Sequence, residues 1–318
     1  MCPLEMKKNH NYSLFGGAMY KITGLFRNRN FILFLALFLG LIWDNATCFT
    51  KQLTIPALGI VMTISLLGIS REIFRSPKAL LIPSVTGIIM NYIVLSGILI
   101  LLNHFIISDK DFWRGFIILA AVPPAVAVIP FTEFLGGNVT FSLIGCLAAY
   151  LSALMFAPAI AIGFLGTNFL DPVKLFIIMS ELIILPLIIS RILIWLHFES
   201  RIEPYKGAIT NWGFFIVVYT IVGLNRDVFT DQTLTLIPVA IITVLSTFLS
   251  GWIIELTSRF FNVSKKSISS IILLGTLKNY GLAAGLSLAL FGERTAIPAT
   301  VSTIFLIVYI IWLGLKRK

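Results

Sequence analysis

Charged residues are scarce in this chain. Asp, Glu, Lys and Arg make up 12% of its 318 residues, about half of their share in a typical soluble domain. Hydrophobic residues make up 58%, and they occur in long runs rather than at the spacing of an amphipathic helix. These features exclude a soluble globular protein and predict an all-helical chain that lies in a lipid bilayer.

Cysteine and histidine are also scarce and scattered. The chain contains Cys2, Cys48, Cys146, His10, His104 and His197. Their spacing fits neither a disulfide framework nor a metal site, and no histidine lies at the centre of an apolar run. We therefore expect no cofactor and no membrane-embedded enzyme, which would need reactive groups within its spans. The net charge of +10 is spread over short loops, so we expect no nucleic-acid partner.

The chain divides into ten apolar segments, most of them near the ~20 residues that a membrane-spanning helix needs. They are residues 30–46, 52–70, 79–104, 113–133, 138–165, 172–197, 206–224, 233–257, 267–291 and 295–315. Residues 1–29 are polar and basic, and the first apolar run is not followed by a signal-peptide cleavage site. We therefore interpret residues 1–29 as a cytoplasmic segment.

The basic residues predict the orientation of these segments. Of the 24 lysines and arginines, 16 fall in termini and loops that are cytoplasmic if the amino terminus is inside, and 6 fall in external loops. The remaining two, Arg191 and Lys278, lie within apolar segments. This bias predicts ten spans with both termini cytoplasmic, in the cell membrane (the inner membrane of a bacterium).

The two halves of the chain, residues 30–166 and 172–316, each hold five segments and so must be inverted relative to one another. The fourth segment is interrupted by Pro123, Pro124 and Pro130, which each remove a backbone donor. The ninth is interrupted by the sequence GTLKNYG, which begins at Gly275 and ends at Gly281. Inverted repeats with broken helices at matching positions indicate the binding site of a transporter.

Lys278 lies about 12 residues from either end of its segment, roughly 18 Å at the rise of an α-helix. A lysine side chain cannot reach the interface over that distance, so it must face protein or a cavity. At helical spacing Gly275, Gly281 and Gly285 would share its face, which would let another helix approach closely.

Lys278 needs a partner at that depth, and the sequence offers few. The carboxylates are Glu133, Glu181 and Glu255, and the third segment contributes the amide of Asn91. A structural ion pair with one of these acids is one interpretation, and a place on a transport pathway is the other.

The residues around the two interruptions resemble those of the bile acid:sodium symporter family. The first crossover of that family reads Pro-Gly-Gly-Thr-x-Ser-Asn, and residues 123–129 here read PPAVAVI, followed by Thr132 and a Gly-Asn pair. The second reads Glu-Thr-Gly-x-Gln-Asn-x-x-Leu-Ala, and residues 274–283 read LGTLKNYGLA. Asn91 lies where the third helix of the family carries a glutamine.

The resemblance implies a fold of ten transmembrane helices in a five-plus-five inverted repeat. Helices four and nine would be unwound and would cross near Val126–Ile129 and Thr276–Asn279. Segments 1, 2, 6 and 7 would form a panel domain, and the other six would form a core domain.

The chain departs from the family at the sodium ligands. The positions that hold them carry Val128, Ile129, Leu274 and Lys278. Aliphatic side chains offer no oxygen to a hard cation, and an ammonium repels it. We therefore hypothesise that the Lys278 ammonium replaces the second sodium ion, with carbonyls of the unwound helices and Asn91 accepting its protons.

The sequence thus predicts a secondary transporter of a small organic anion, either coupled to protons or acting as a uniporter. Its coupling and substrate site would comprise Lys278, Asn279, Thr276, Asn91, Thr132 and Glu133. The alternatives within transporters are a sodium-coupled carrier of bile-acid-like anions and a carrier of the auxin-efflux or malonate type. A membrane-embedded enzyme is the alternative outside them.

Overall fold

The structure is a computed structural model that describes residues 29–67, 77–125, 127–166, 172–231 and 233–316. The described residues are almost entirely helical and contain no β-strand. The expected all-helical class is therefore confirmed, as a bilayer requires, since a helix pairs its own backbone polar groups. The predicted cytoplasmic segment lies outside the described residues, except for Arg29.

Seven helices occupy the described residues of the first half, and a π-helical turn at Ile89–Leu95 joins the third to the fourth. They are α1 (Arg29–Ile42), α2 (Thr47–Leu66), α3 (Pro77–Ile88), α4 (Ser96–Ile106), α5 (Lys110–Ala121), α6 (Val128–Phe134) and α7 (Val139–Leu165).

Nine more helices occupy the described residues of the second half. They are α8 (Pro172–Trp195), α9 (Glu199–Ile202), α10 (Lys206–Leu224), α11 (Arg226–Thr230), α12 (Ile237–Val244), α13 (Ser250–Phe260), α14 (Lys265–Leu274), α15 (Tyr280–Leu290) and α16 (Ile297–Lys316). A π-helical turn at Leu245–Leu249 joins α12 to α13, and short 3-10 turns occur at Glu203–Tyr205, Thr233–Leu236 and Arg294–Ala296.

Within the described ranges, six continuous helical stretches are long and apolar enough to cross a membrane. They are Thr47–Ile64, Leu80–Ile106, Val139–Leu165, Glu199–Leu224, Thr233–Phe260 and Arg294–Lys316. Shorter apolar helices occur at Phe31–Ile42, Ile183–Trp195 and Tyr280–Leu290. The protein is therefore a multi-pass membrane protein, while the count of ten spans stays a prediction.

The helices pack in two groups. In the first, which we call the panel group (α1, α2, α8 and α10), α10 lies along both α1 and α2, and α2 lies along α8. The second, which we call the core group, contains α3–α7 and α12–α16, with α3 against α7, α4 against α5, and α15 against α16. Gly87 permits the close approach of α3 to α7, because a Cβ there would lie 2.4 Å from the Gly145 carbonyl oxygen of α7.

The two π-helical turns carry the same local sequence and the same side-chain bond. The last residue of each turn begins the sequence Leu-Ser-Gly, at residues 95–97 and 249–251. Ser96 Oγ donates to the Asn91 carbonyl at 2.8 Å, and Ser250 Oγ donates to the Leu245 carbonyl at 3.1 Å. In both cases the hydroxyl bonds to the carbonyl five residues earlier, which also accepts the backbone N–H of the same serine in the hydrogen-bond pattern of a π-helix.

Candidate functional site

Two helix breaks meet inside the core group. The first lies between the end of α5 and the start of α6, and the second between the end of α14 and the start of α15. Two backbone hydrogen bonds join them: Ala125 N donates to the Leu277 carbonyl at 3.1 Å, and Asn279 N donates to the Pro123 carbonyl at 3.0 Å. The unwound segments therefore satisfy part of each other's backbone, as buried irregular segments must.

Proline explains the first break. Pro123 and Pro124 have no backbone N–H, so the helix cannot continue through them, and Pro124 pairs with Lys278 in an antiparallel bridge. The break covers 122–127 and so begins earlier in the sequence than the predicted Val126–Ile129. Val128, Ile129 and Pro130 instead form the first turn of α6, where a proline is tolerated. Val126 itself lies outside the described residues.

The second break spans 275–279, which includes the predicted Thr276–Asn279. Gly275 N still donates to the Ile271 carbonyl, so Gly275 marks the end of α14. Gly281 lies in the first turn of α15.

Lys278 is fully buried at this crossing. Its Nζ donates to Ser96 Oγ at 2.9 Å, to the Ala120 carbonyl at 2.8 Å and to the Val122 carbonyl at 2.9 Å. These three acceptors match the three N–H donors of an ammonium group. Both carbonyls lie at the carboxyl-terminal end of α5, where the helix dipole places partial negative charge. The site therefore has the composition of a cation site formed by neutral oxygens.

An aromatic ring adds to this site. The ring centre of Tyr92 lies 4.9 Å from Lys278 Nζ, within the range of a cation–π interaction. Tyr92 belongs to the π-helical turn, and its ring stacks on Phe156 of α7 at 4.7 Å. The ring is thus held in place by packing on one side while it faces the ammonium on the other.

No carboxylate pairs with Lys278 among the described residues. Glu133 and Glu181 are exposed. Glu255 forms ion pairs with Arg259 and Lys316. No carboxylate in the described part of the chain therefore forms the structural ion pair considered from the sequence. The charge of Lys278 is stabilised by the Ser96 hydroxyl, two carbonyl dipoles and the Tyr92 ring.

Asn279 and Asn91 are both buried beside the crossing, in different roles. Asn279 Oδ1 accepts from Leu282 N at 3.1 Å and caps α15, while its Nδ2 donates to the Tyr150 hydroxyl at 2.9 Å. Asn91 was expected to accept a hydrogen bond from the Lys278 ammonium. Instead its Nδ2 donates to the Val122 carbonyl at 3.4 Å, and its Oδ1 has no partner among the described residues.

The two threonines predicted for the site bond elsewhere. Thr132 Oγ1 lies 2.6 Å from Ser142 Oγ and 2.7 Å from the Val128 carbonyl. Thr276 Oγ1 donates to the Ile272 carbonyl at 2.7 Å. Neither hydroxyl bonds to Lys278, so the structure brings together Lys278, Asn91 and Asn279 but not these threonines or Glu133.

Two of the three glycines near Lys278, Gly281 and Gly285, do not share its face. A Cβ on Gly281 would lie 2.5 Å from the Phe214 ring, and one on Gly285 would lie 2.3 Å from Leu58 Cδ1. Both contacts are with the panel group, whereas Lys278 points to Ser96 in the core. The prediction of a common face was wrong because it assumed helical spacing through 275–279, which is unwound.

Sequence reasoning missed Ser96 and Tyr92. The sequence analysis considered charged and amide side chains within the apolar segments, and serine and tyrosine belong to neither group. The repeated Leu-Ser-Gly at 95–97 and 249–251 was the available signal.

A cavity adjoins the crossing on the side of the panel group. Its walls include Leu33, Phe214 and Val218 of the panel group. Across from them lie Lys278, Asn279, Tyr280, Gly281, Thr303 and Leu306, with Ala125 and Ala127 of the first break. The walls are mainly apolar, with polar groups confined to the crossing and Thr303, and the cavity volume of about 30 Å³ has room for about one water molecule.

The positions that correspond to sodium ligands in the resembling family hold no side-chain oxygen. Val128 and Leu274 are fully buried, and Ile129 packs against the same hydrophobic core. Oxygen ligands for sodium would therefore have to come from backbone carbonyls, and two of those nearby already accept hydrogen bonds from Lys278.

Comparison with known families places this arrangement in context. A model of the SBF-like CPA transporter family matches residues 31–312, which include both helix breaks and Lys278. No curated protein sequence matches the chain. The chain therefore belongs to the SBF-like CPA transporter family, which confirms its resemblance to the bile acid:sodium symporters.

Proposed function

We propose that this protein is a secondary transporter that carries a small organic anion by alternating access and does not use sodium. The observation that carries this proposal is the Lys278 ammonium held by Ser96 and two carbonyls at the end of α5. A half-helix end of this kind coordinates a cation in transporters with broken helices. Here a covalently attached cation fills the position, so a free sodium ion is not needed there.

Alternating access requires two related halves, and we propose ten spans in two inverted repeats. Matching sequence positions support this: the same number of residues separates Ser96 from Ser250 as separates Ala125 from Asn279. The first pair directly follows the two π-helical turns, and the second pair donates the two hydrogen bonds of the crossing. The panel and core groups would then be the two bodies that move relative to one another.

An organic anion is the substrate class that the cavity supports best. Lys278 is one of its lining residues, with the ammonium directed into the core behind the wall, and the amino-terminal end of α15 begins there at Tyr280. Leu33, Val218 and Leu306 offer an apolar surface to the rest of the molecule. An anion with a small hydrophobic body would match both features once the panel and core groups separate and enlarge the cavity, whose volume is about 30 Å³ in this structure.

Coupling to protons follows from the same lysine. Lys278 is fully buried and no carboxylate in the described residues stabilises its charge. A rearrangement of the crossing that removed one carbonyl would favour release of its proton. A Lys278 that keeps its proton throughout would make the protein a uniporter.

Both termini would lie in the cytoplasm, as the loop charges predict.

The test is reconstitution into liposomes with an imposed gradient of either protons or sodium. Probe anions would be a bile-acid-like amphiphile, a keto acid and a hydroxy acid similar to pantoate. We expect uptake of at least one probe with no dependence on sodium when it is exchanged for potassium or choline. A tenfold effect of sodium on affinity, about 1.4 kcal/mol of coupling, would contradict the proposal and favour the sodium-coupled alternative.

A further inference from the structure

Glu293 joins the panel and core groups at the end of the bundle opposite the carboxyl terminus. It lies between α15 and α16 in the core group. Its Oε1 accepts a hydrogen bond from Lys51 Nζ of α2 at 2.9 Å. Its carbonyl accepts from Asn225 Nδ2, at the end of α10, at 3.1 Å. Both donors belong to elements of the panel group, so one residue makes two polar contacts across the boundary.

The core group holds Glu293 in position through its neighbour. Arg294 Nη2 donates to Asp109 Oδ2 at 3.1 Å and its Nε lies 3.9 Å from Asp111 Oδ2. Arg114 pairs in turn with Asp111 at 3.2 Å. The charged groups that surround Glu293 are therefore Lys51 on the panel side and this Asp–Arg cluster on the core side. The cluster fixes the loop to the core while Glu293 reaches the panel.

The cavity beside Lys278 lies along the same boundary, deeper in the bundle. Leu33 precedes the end of α1 by nine residues, and Phe214 precedes the end of α10 by ten. At the rise of an α-helix these positions are roughly 14 Å below the end that carries Glu293. The contacts made by Glu293 thus lie on the boundary between that end of the bundle and the cavity.

We propose that Glu293 closes the transport path at this end, predicted to be external, and that the path opens when Lys51 and Asn225 separate from it. This inference rests on the proposed function. The ion pair is partly exposed, with 45% of the Lys51 side chain and 39% of the Glu293 side chain accessible. Exposed pairs are weak, which suits a contact that must break in every transport cycle.

The test measures access to the cavity directly, without any substrate. A reporter cysteine replaces Thr303 in a chain whose native cysteines, including the exposed Cys48, are changed to alanine. A membrane-impermeant thiol reagent is applied outside intact cells, and the labelling rate is recorded. We expect Glu293→Gln to raise this rate about threefold, because it removes the charge that holds Lys51.

Charge reversal separates the contact from a general loss of structure. Glu293→Lys alone should raise the labelling rate further, since it repels Lys51, and Lys51→Glu combined with Glu293→Lys should return the rate towards wild type. The matched control is Glu203→Gln, which removes a carboxylate paired with Lys206 at 3.6 Å outside this contact. It should leave the rate unchanged.

Two results would overturn the proposal: a wild-type rate in Glu293→Gln, or no recovery in the charge-reversed pair. Liposome transport measured on the same variants distinguishes failure of the role proposed for Glu293 from failure of the proposed transport function. Unchanged labelling with intact anion flux would reject Glu293 as the closing residue and leave the carrier function standing. Faster labelling in a protein that carries none of the probe anions would support the contact and contradict the proposed transport of these anions.

Discussion

Ser96 accepts a hydrogen bond from Lys278 at 2.9 Å, although 182 positions separate the two residues in the sequence. Ser96 belongs to the first half of the chain and Lys278 to the second, so the ammonium is fully coordinated only when the halves have docked. Ser96 also lies 2.7 Å from the Ala120 carbonyl, which itself accepts from Lys278. The three groups form one compact polar cluster inside an apolar core.

Replacement of Ser96 by alanine should destabilise the protein. It removes one of three acceptors from a buried ammonium, and hydrogen bonds to charged groups contribute about 1.5–3 kcal/mol. We expect the free energy of unfolding to fall by about 2 kcal/mol, measured by denaturation in detergent. Ser250→Ala is the matched control, because Ser250 occupies the same place after the second π-helical turn but donates only to a neutral carbonyl, that of Leu245. Its cost should be about 1 kcal/mol, and equal costs would contradict a charged Lys278.

Gly87→Ala should disrupt the packing of α3 on α7. The added Cβ would lie 2.4 Å from the Gly145 carbonyl oxygen and 2.6 Å from Gly145 Cα, and backbone atoms cannot rotate away. We expect a loss of about 1–3 kcal/mol or more of stability, measured by the thermal unfolding temperature. Gly97→Ala is the control, because nothing lies within 4 Å of its added Cβ. A helical alanine there should be neutral or stabilise by up to about 1 kcal/mol. Similar unfolding temperatures for the two variants would contradict this packing.

The stability that Asp109 contributes should depend on pH. Burial opposes its ionisation, but hydrogen bonds from the backbone N–H groups of Phe112 and Asp111, and from Arg294, hold the pKa of Asp109 below its ordinary value. A carboxyl whose pKa is lower in the folded state stabilises the protein above the unfolded pKa, about 3.9. That contribution disappears as the pH falls through the lower folded value.

Asp109→Ala should therefore cost about 1 kcal/mol at neutral pH, as expected for loss of a helix cap. The difference from wild type should shrink below about pH 4. Circular dichroism during chemical denaturation at several pH values measures it, with the exposed Asp231→Ala as the control. A difference that stays constant down to pH values near 3 would show that the charge of Asp109 does not matter.

The sequence was sufficient to predict the helical class, the two interruptions and the burial of Lys278, because each depends on local chemistry. The adjacent Pro123 and Pro124 remove two successive backbone donors, whereas single prolines such as Pro56 and Pro158 lie inside continuous helices. A lysine in the middle of an apolar run must be enclosed. The first break nevertheless starts earlier than expected, since the tolerance of Pro130 in the first turn of α6 depends on where that helix begins.

The partners of Lys278 depend on contacts that local chemistry does not encode. Ser96 and Tyr92 are brought to the ammonium by a π-helical turn, which changes the face that each residue presents. Gly281 and Gly285 face Phe214 and Leu58 because the chain is unwound before them. In both cases a local departure from α-helical geometry changed which side chains share a face, and the predictions had assumed regular α-helical spacing.

The most direct test of the account compares proton flux with anion flux for wild type and Lys278→Gln in liposomes, from about pH 5 to about pH 9. Lys110→Gln, an exposed lysine, serves as the control. The glutamine amide can still donate to the carbonyls of Ala120 and Val122, so the variant should fold. We predict that wild type and the control move protons with the anion in a pH-dependent manner, and that Lys278→Gln loses both the proton flux and the pH dependence. Unchanged pH dependence in Lys278→Gln would contradict a coupling role for this lysine and leave it as a structural residue.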